Sequence, residues 1–249
     1  MRRTVITLAL LGLLAGCTGT PKPGATPTQS PKAGRDAALP GFAFAGCVKS
    51  EEGRELGVPG LTGAIMGKGD RAVVFSNTAD GNGCDWVEYA RELVAQGYQV
   101  AVWTYGAAGG QPERSAELKS VVEKVRAGGA KKVALVGGSR GGCLSVIGAA
   151  EIQPAVAGVG VLSCAKVYNR DQPTDLAPWT AKLTAPTLYV LGDQDPYLKA
   201  AEAEADLAAA PATDKKLLVL PGNGAHGDGL LNVPEARKPL TDFLNRVTA

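Results

Sequence analysis

The sequence predicts an α/β domain, a doubly wound and mostly parallel β-sheet covered by helices on both faces. Two observations carry that prediction. From about Gly60 onward, segments of strand character alternate with helical segments of roughly 10–15 residues. In addition, the runs VALV, VGVL, LYVL and LLVL are continuously apolar. Strands buried on both faces read this way, whereas a half-exposed strand alternates.

The elements follow in order. Strands are expected at 61–66 and 72–75. Residues 86–96 set Trp86, Val87, Ala90, Leu93 and Val94 on one helical stripe, and Gly97 ends it as a C-cap would. A strand at 100–103 precedes a helix at 116–126, whose Leu118, Val121, Val122 and Val125 share a face. Gly128-Gly129 stops that helix. A strand at 133–136 runs into Gly137-Gly138-Ser139-Arg140-Gly141-Gly142 and then into an apolar helix ending at Ala150. The stretch 156–162 is a strand without a polar side chain. A short helix at 176–183 surrounds Trp179. It is followed by a strand at 187–191, an Ala-rich helix at 197–209, a strand at 217–220 and a closing helix at 234–247.

Ahead of this domain the chain has a different character. Arg2 and Arg3 precede a short apolar run that ends at Gly16-Cys17, the form of a secretory signal peptide at 1–16. The run is too short to span a bilayer, which takes roughly 20 apolar residues. Leu14-Ala15-Gly16-Cys17 resembles a bacterial lipobox. That resemblance implies a diacylglycerol on the Cys17 thiol and a membrane partner through that lipid. The protein is accordingly expected at the extracytoplasmic face of a bacterial cell membrane. Residues 17–40 hold Pro21, Pro23, Pro27, Pro31 and Pro40 among small polar residues. Such a segment cannot build a core and reads as a tether, ~70 Å long if near-extended. The folded domain is expected to occupy 41–249.

Charge and cysteine content exclude several function classes. Of 26 basic residues, Arg2 and Arg3 lie in the leader, so the remainder balances its 24 acidic residues. No basic field is left to hold a nucleic-acid backbone, and no nucleic-acid partner is expected. Cys47, Cys84, Cys143 and Cys164 show no C-x-x-C spacing, and there is one histidine, so no zinc site is expected. In an oxidising compartment these four can form two disulfides in three ways. Cys143 lies one helical turn after Ser139, and Cys164 ends the neighbouring strand, so a Cys143–Cys164 bond is expected.

The chemistry concentrates at three places. Gly137-Gly138-Ser139-Arg140-Gly141 matches G-x-S-x-G between a buried strand and an apolar helix. Such a strained strand-to-helix turn exposes the serine hydroxyl at a helix N-terminus, and small neighbours keep it free of clashes. Dinucleotide and P-loop patterns both fail, because Ser139 and Arg140 stand where glycines are required and no Gly-Lys-Ser/Thr occurs. Serine needs a base, and His226 is the single histidine, in a loop after the last strand. The base needs an orienting acid. Asp193 and Asp195 both follow the strand at 187–191, and the residues alone leave both open. Asp228, near His226, reads as a solvated loop residue.

With these residues in the order Ser…Asp…His, the chain resembles the α/β-hydrolase superfamily, in particular its small, lid-poor, dienelactone-hydrolase-like and simple esterase members. The resemblance covers Gly60 to the C-terminus. It implies Ser139 as nucleophile and His226 as base. The acid falls on Asp195, through the family's Gly-x-x-Asp pattern at Gly192…Asp195. The resemblance also implies an oxyanion hole from two backbone N–H groups. One is that of Arg140; the other comes from the loop after an early strand. That loop usually opens with His-Gly, but here it reads Phe75-Ser76-Asn77-Thr78. By position the amide of Thr78 takes the role, with Asn77 second. The Arg140 side chain is expected to pack and pair locally. The space between the strands at 156–162 and 187–191 leaves no room for a large cap domain.

The activity so implied is hydrolysis of a small-molecule carboxylic ester through an acyl-enzyme on Ser139, without metal or organic cofactor. Alternatives with the same residues are thioesterase, peptidase or acyltransferase. A non-catalytic binding lipoprotein of this fold is the alternative from another class.

Overall fold

A computed structural model of the chain describes residues 46–106, 109–168 and 173–249. The leader 1–16, Cys17, the tether 17–40 and the first residues of the expected domain lie outside them. Eight strands form one sheet: β1 (Gly53–Glu55), β2 (Thr62–Met66), β3 (Arg71–Ser76), β4 (Gln99–Thr104), β5 (Lys132–Gly138), β6 (Gly158–Leu162), β7 (Thr187–Gly192) and β8 (Lys215–Leu220). Their spatial order is β1-β2-β4-β3-β5-β6-β7-β8. β1 and β2 are antiparallel to their neighbours, and the other pairs are parallel.

Among the described residues six α-helices accompany the strands: α1 (Val87–Ala95), α2 (Gln111–Ala127), α3 (Arg140–Glu151), α4 (Ala177–Thr180), α5 (Ala200–Ala209) and, after the last strand, α6 (Pro234–Val247). The continuous apolar runs divide between two cores. Val73, Phe75, Val100, Val102, Val136 and Val190 pack with α1 and α6. Val74, Ala101, Leu135, Val159, Val161 and Tyr189 pack with α2, α3 and α5 on the other face. Fully burying each Val, Leu or Phe among them stabilises the fold by about 1.5–3 kcal/mol.

Three local differences from the sequence reading have physical causes. β1 was not expected: its Gly-Arg-Glu is polar and mostly exposed, and it is a strand because it pairs with Ala64–Met66. α2 begins at Gln111 rather than 116, with Pro112 in its first turn and the Glu113 carboxylate accepting from the Gly110 amide at 2.8 Å. α5 begins at Ala200 rather than 197, because residues 195–198 form a turn around the Asp195 carboxylate.

Two disulfides brace the domain. Cys143–Cys164 ties α3 to the segment after β6, as expected, and Cys47–Cys84 ties the first described residues to the turn before α1. With sequence separations of 21 and 37 residues, loss of chain entropy in the unfolded state makes each worth about 3–4 kcal/mol.

The sheet order also fixes where a site can form. From β3 the chain crosses through α1 to β4 on one side, then returns through α2 to β5 on the other. At that reversal the loops after β3 and β5 open a crevice beyond the carboxyl ends of the strands, the usual ligand position in open α/β sheets. Between β6 and β7 the described residues hold only the Val167–Asp175 bridge and α4, and no large cap is present among them.

Candidate active site

Ser139 stands between β5 and α3 with φ 53° and ψ −122°. A non-glycine residue there carries about 1–3 kcal/mol of strain, held only if its surroundings over-determine it. Here the Ser139 amide donates to the Leu162 carbonyl at 2.7 Å, and its carbonyl accepts from the Cys143 amide at 3.2 Å. The glycines of the motif are required by close approach. A β-carbon on Gly137 would collide with the Gly141 carbonyl, and one on Gly141 with the carbonyls of Ser76 and Asn77. The turn, the first turn of α3 and the loop after β3 are therefore packed backbone to backbone.

His226 lies in the loop after β8, and its Nδ1 is 2.8 Å from Asp195 Oδ2 and 3.0 Å from Oδ1. A carboxylate only accepts, so the imidazole donates from Nδ1 and leaves Nε2 as an acceptor. The Asp195 side chain is fully buried and that of His226 is 21% exposed. Asp195 Oδ1 also accepts from the amides of Tyr197 (2.8 Å) and Leu198 (3.1 Å). This turn brings the Tyr197 ring edge-on to the imidazole, centroids 4.8 Å apart. Asp193 is exposed, and its Oδ1 accepts from the Asn223 amide at 3.3 Å. It is Asp195, not Asp193, that the chain sets against His226.

Ser139 and His226 line one pocket of about 440 Å³, to which Thr78, Asp80, Arg140 and Asp228 add polar groups. The Cys143–Cys164 disulfide, Ala165, Val167 and Tyr168 also line it. Both residues expected to supply oxyanion amides, Arg140 and Thr78, are thus at the pocket. The Arg140 side chain turns back onto the protein: Nη2 donates to the Ala79 carbonyl at 2.9 Å, and the guanidinium lies 5.2 Å from the Tyr105 ring. It clasps the loop after β3 to the start of α3. Asp228 differs from its reading as a solvated residue. It is half-buried at the pocket, where desolvation, with Asp85 adding repulsion, holds its carboxyl above the usual range.

Asn77, the second oxyanion candidate by position, has a fully buried side chain. Its Nδ2 donates to the Trp103 carbonyl at 2.6 Å and its Oδ1 accepts from Trp86 Nε1 at 3.1 Å, while Tyr105 Oη donates to its carbonyl at 2.7 Å. These bonds fix the strand end that presents Thr78. Asn77→Ala leaves two buried polar groups unpaired, and chemical denaturation should show a loss of about 2–5 kcal/mol.

No protein-family model matches this chain, and no curated protein does. Solved structures match it closely in shape. An esterase of Pyrococcus furiosus, Pf2001, superposes with a TM-score of 0.65 at 17% identity, over 76% of this chain and 86% of that one. BpoC of Mycobacterium tuberculosis, a candidate non-heme bromoperoxidase, gives 0.64 at 16% identity over 77% and 98%. The monoacylglycerol lipase of Paleococcus ferrophilus gives 0.60 at 14% identity over 76% and 98%. At such identities the likeness speaks for the shared fold.

Proposed function

We propose that this chain, which has the α/β-hydrolase fold, is a serine esterase that forms an acyl-enzyme on Ser139. The observation that carries the reading is the buried Asp195 carboxylate 2.8 Å from His226 Nδ1, at a pocket shared with the strained Ser139. In this mechanism His226 Nε2 takes the Ser139 proton as the oxygen attacks the ester carbonyl. The Arg140 and Thr78 amides stabilise the tetrahedral oxyanion, and the N-terminal dipole of α3 adds to that field. The imidazolium then protonates the leaving alcohol, and water, activated by the same base, releases the acid. Similarity in fold to proteins named as esterases and a lipase supports an ester as substrate. Purified protein should label with a fluorophosphonate and turn over an aryl ester. A folded protein that does neither overturns the reading.

The pH profile follows from the base. A protonated imidazole cannot accept the serine proton, so kcat/KM should fall on the acid side. A rate that does not fall on the acid side, on protein that stays folded, contradicts His226 as base.

The location proposed is outside the cytoplasm, tethered to a membrane through a lipid on Cys17. Support comes from the Leu14-Ala15-Gly16-Cys17 sequence after a short apolar run. No described helix is long and apolar enough to cross a membrane. Cys17→Ser should move the protein from the membrane to the soluble fraction or stall its processing. Wild-type protein found soluble, with no acyl mass on Cys17, counts against the anchor.

A further inference from the structure

Ser163 carries two penalties, one that its surroundings impose and one that they do not. It directly follows β6 with φ 57°, a left-handed conformation that glycine would adopt without strain. Its hydroxyl is buried, with the residue only 4% exposed, and has no hydrogen-bond partner among the described residues. An unpaired buried hydroxyl is destabilising, and alanine would avoid it. The conformation is imposed from three sides. The Ser163 amide donates to the Val190 carbonyl at 2.9 Å, the preceding Leu162 carbonyl accepts from the Ser139 amide at 2.7 Å, and the following Cys164 is bonded to Cys143. Of the described residues left with an unpartnered buried side-chain oxygen, Ser163 is the one among the residues around the pocket of Ser139 and His226.

We infer that Ser163 is a specificity residue whose hydroxyl bonds a polar atom of the substrate's acyl group, so that the preferred substrates are esters of short hydroxyacyl or ketoacyl groups rather than plain alkanoates. This rests on the esterase reading above. The acyl side follows from the chemistry. The leaving alcohol must lie beside His226, which hands it a proton. The acyl group is then left to run past Ser163, along the wall of Cys164, Ala165, Val167 and Tyr168 that continues from it in sequence. The polar atom is assigned to the second or third acyl carbon, the positions that a short acyl chain offers beside its carbonyl. A site built to bond such a group discriminates against an analogue lacking it, because the buried hydroxyl then stays unpaired.

The test compares kcat/KM for p-nitrophenyl 2-hydroxybutyrate, 3-hydroxybutyrate and butyrate, in the wild type and in Ser163→Ala. Any intrinsic difference in ester reactivity cancels when the hydroxybutyrate-to-butyrate ratio is compared between the two proteins. At least one of the two ratios should fall about five- to tenfold in Ser163→Ala, the worth of one hydrogen bond. Ser163→Gly, which also relaxes φ, should show the same fall and decides the matter if the alanine variant does not fold. Unchanged ratios overturn the inference. So does an equal loss on all three esters, which would mean that Ser163 positions the catalytic groups. A ratio that moves instead between glyceryl and propyl butyrates would put the bond on the alcohol side and also overturn it. Fluorophosphonate labelling and butyrate turnover by the wild type test the esterase reading separately.

Discussion

Ser139→Ala should abolish both aryl-ester turnover and fluorophosphonate labelling, the largest effect expected of any single change in this chain. In the proposed mechanism the substitution removes the atom that forms the covalent bond. Alanine keeps the β-carbon, so the strained turn is no worse accommodated and folding should be retained, as circular dichroism would check. Residual labelling of the variant would mean that another nucleophile reacts. Turnover together with labelling would remove the catalytic reading altogether.

Asp195→Asn should reduce kcat by about 10⁴, the size of the corresponding change in a related triad. The amide oxygen can still accept from the Tyr197 and Leu198 amides, so the turn should keep its form. What changes is the group facing His226 Nδ1. An amide N–H there favours the tautomer with the proton on Nε2, which cannot act as the base. Asp193→Asn should be mild by comparison, since Asp193 holds Asn223 and has no contact with the imidazole among the described residues. Combining Asp195→Asn with His226→Ala should cost little more than the histidine change alone, because the residues act as a unit. A folded Asp195→Asn near wild-type rate, beside an inactive Asp193→Asn, would transfer the role of the acid.

Much of this arrangement can be read from sequence, and the remainder divides by physical cause. The strands of the sheet centre are legible because burial on both faces demands unbroken apolar runs. The elbow is legible because backbone-to-backbone packing around Ser139 demands glycines at Gly137 and Gly141. β1 carries no such demand: an exposed edge strand takes its form from its partner. Asp193 and Asp195 follow the same strand two residues apart, and composition does not separate them. The turn that folds back on Asp195 does. Asp228 reads as a loop residue because its burial belongs to the assembled pocket, and the charge of Asp85 that acts on it comes from far away in the chain. Ser163 gives no sequence signal, since a left-handed φ and an unpaired hydroxyl are properties of the assembled structure.

The Cys47–Cys84 bond has a mechanical consequence. It closes a covalent ring that contains β1, β2 and β3. A pull applied ahead of Cys47 therefore passes through sulfur to Cys84 and on to the root of α1, where Trp86 and Tyr89 are buried. The edge strand β1 is shielded from that load. A two-stranded antiparallel edge would otherwise be the first part to peel, with its hydrogen bonds opening one after another. With the ring closed, extension must instead disturb the helix packed against the sheet, where many contacts yield together. In single-molecule terms the ring removes the contour length between Cys47 and Cys84 from the unfolding event. It also means that the strand ending beside Thr78 does not lengthen under tension from the N-terminal side.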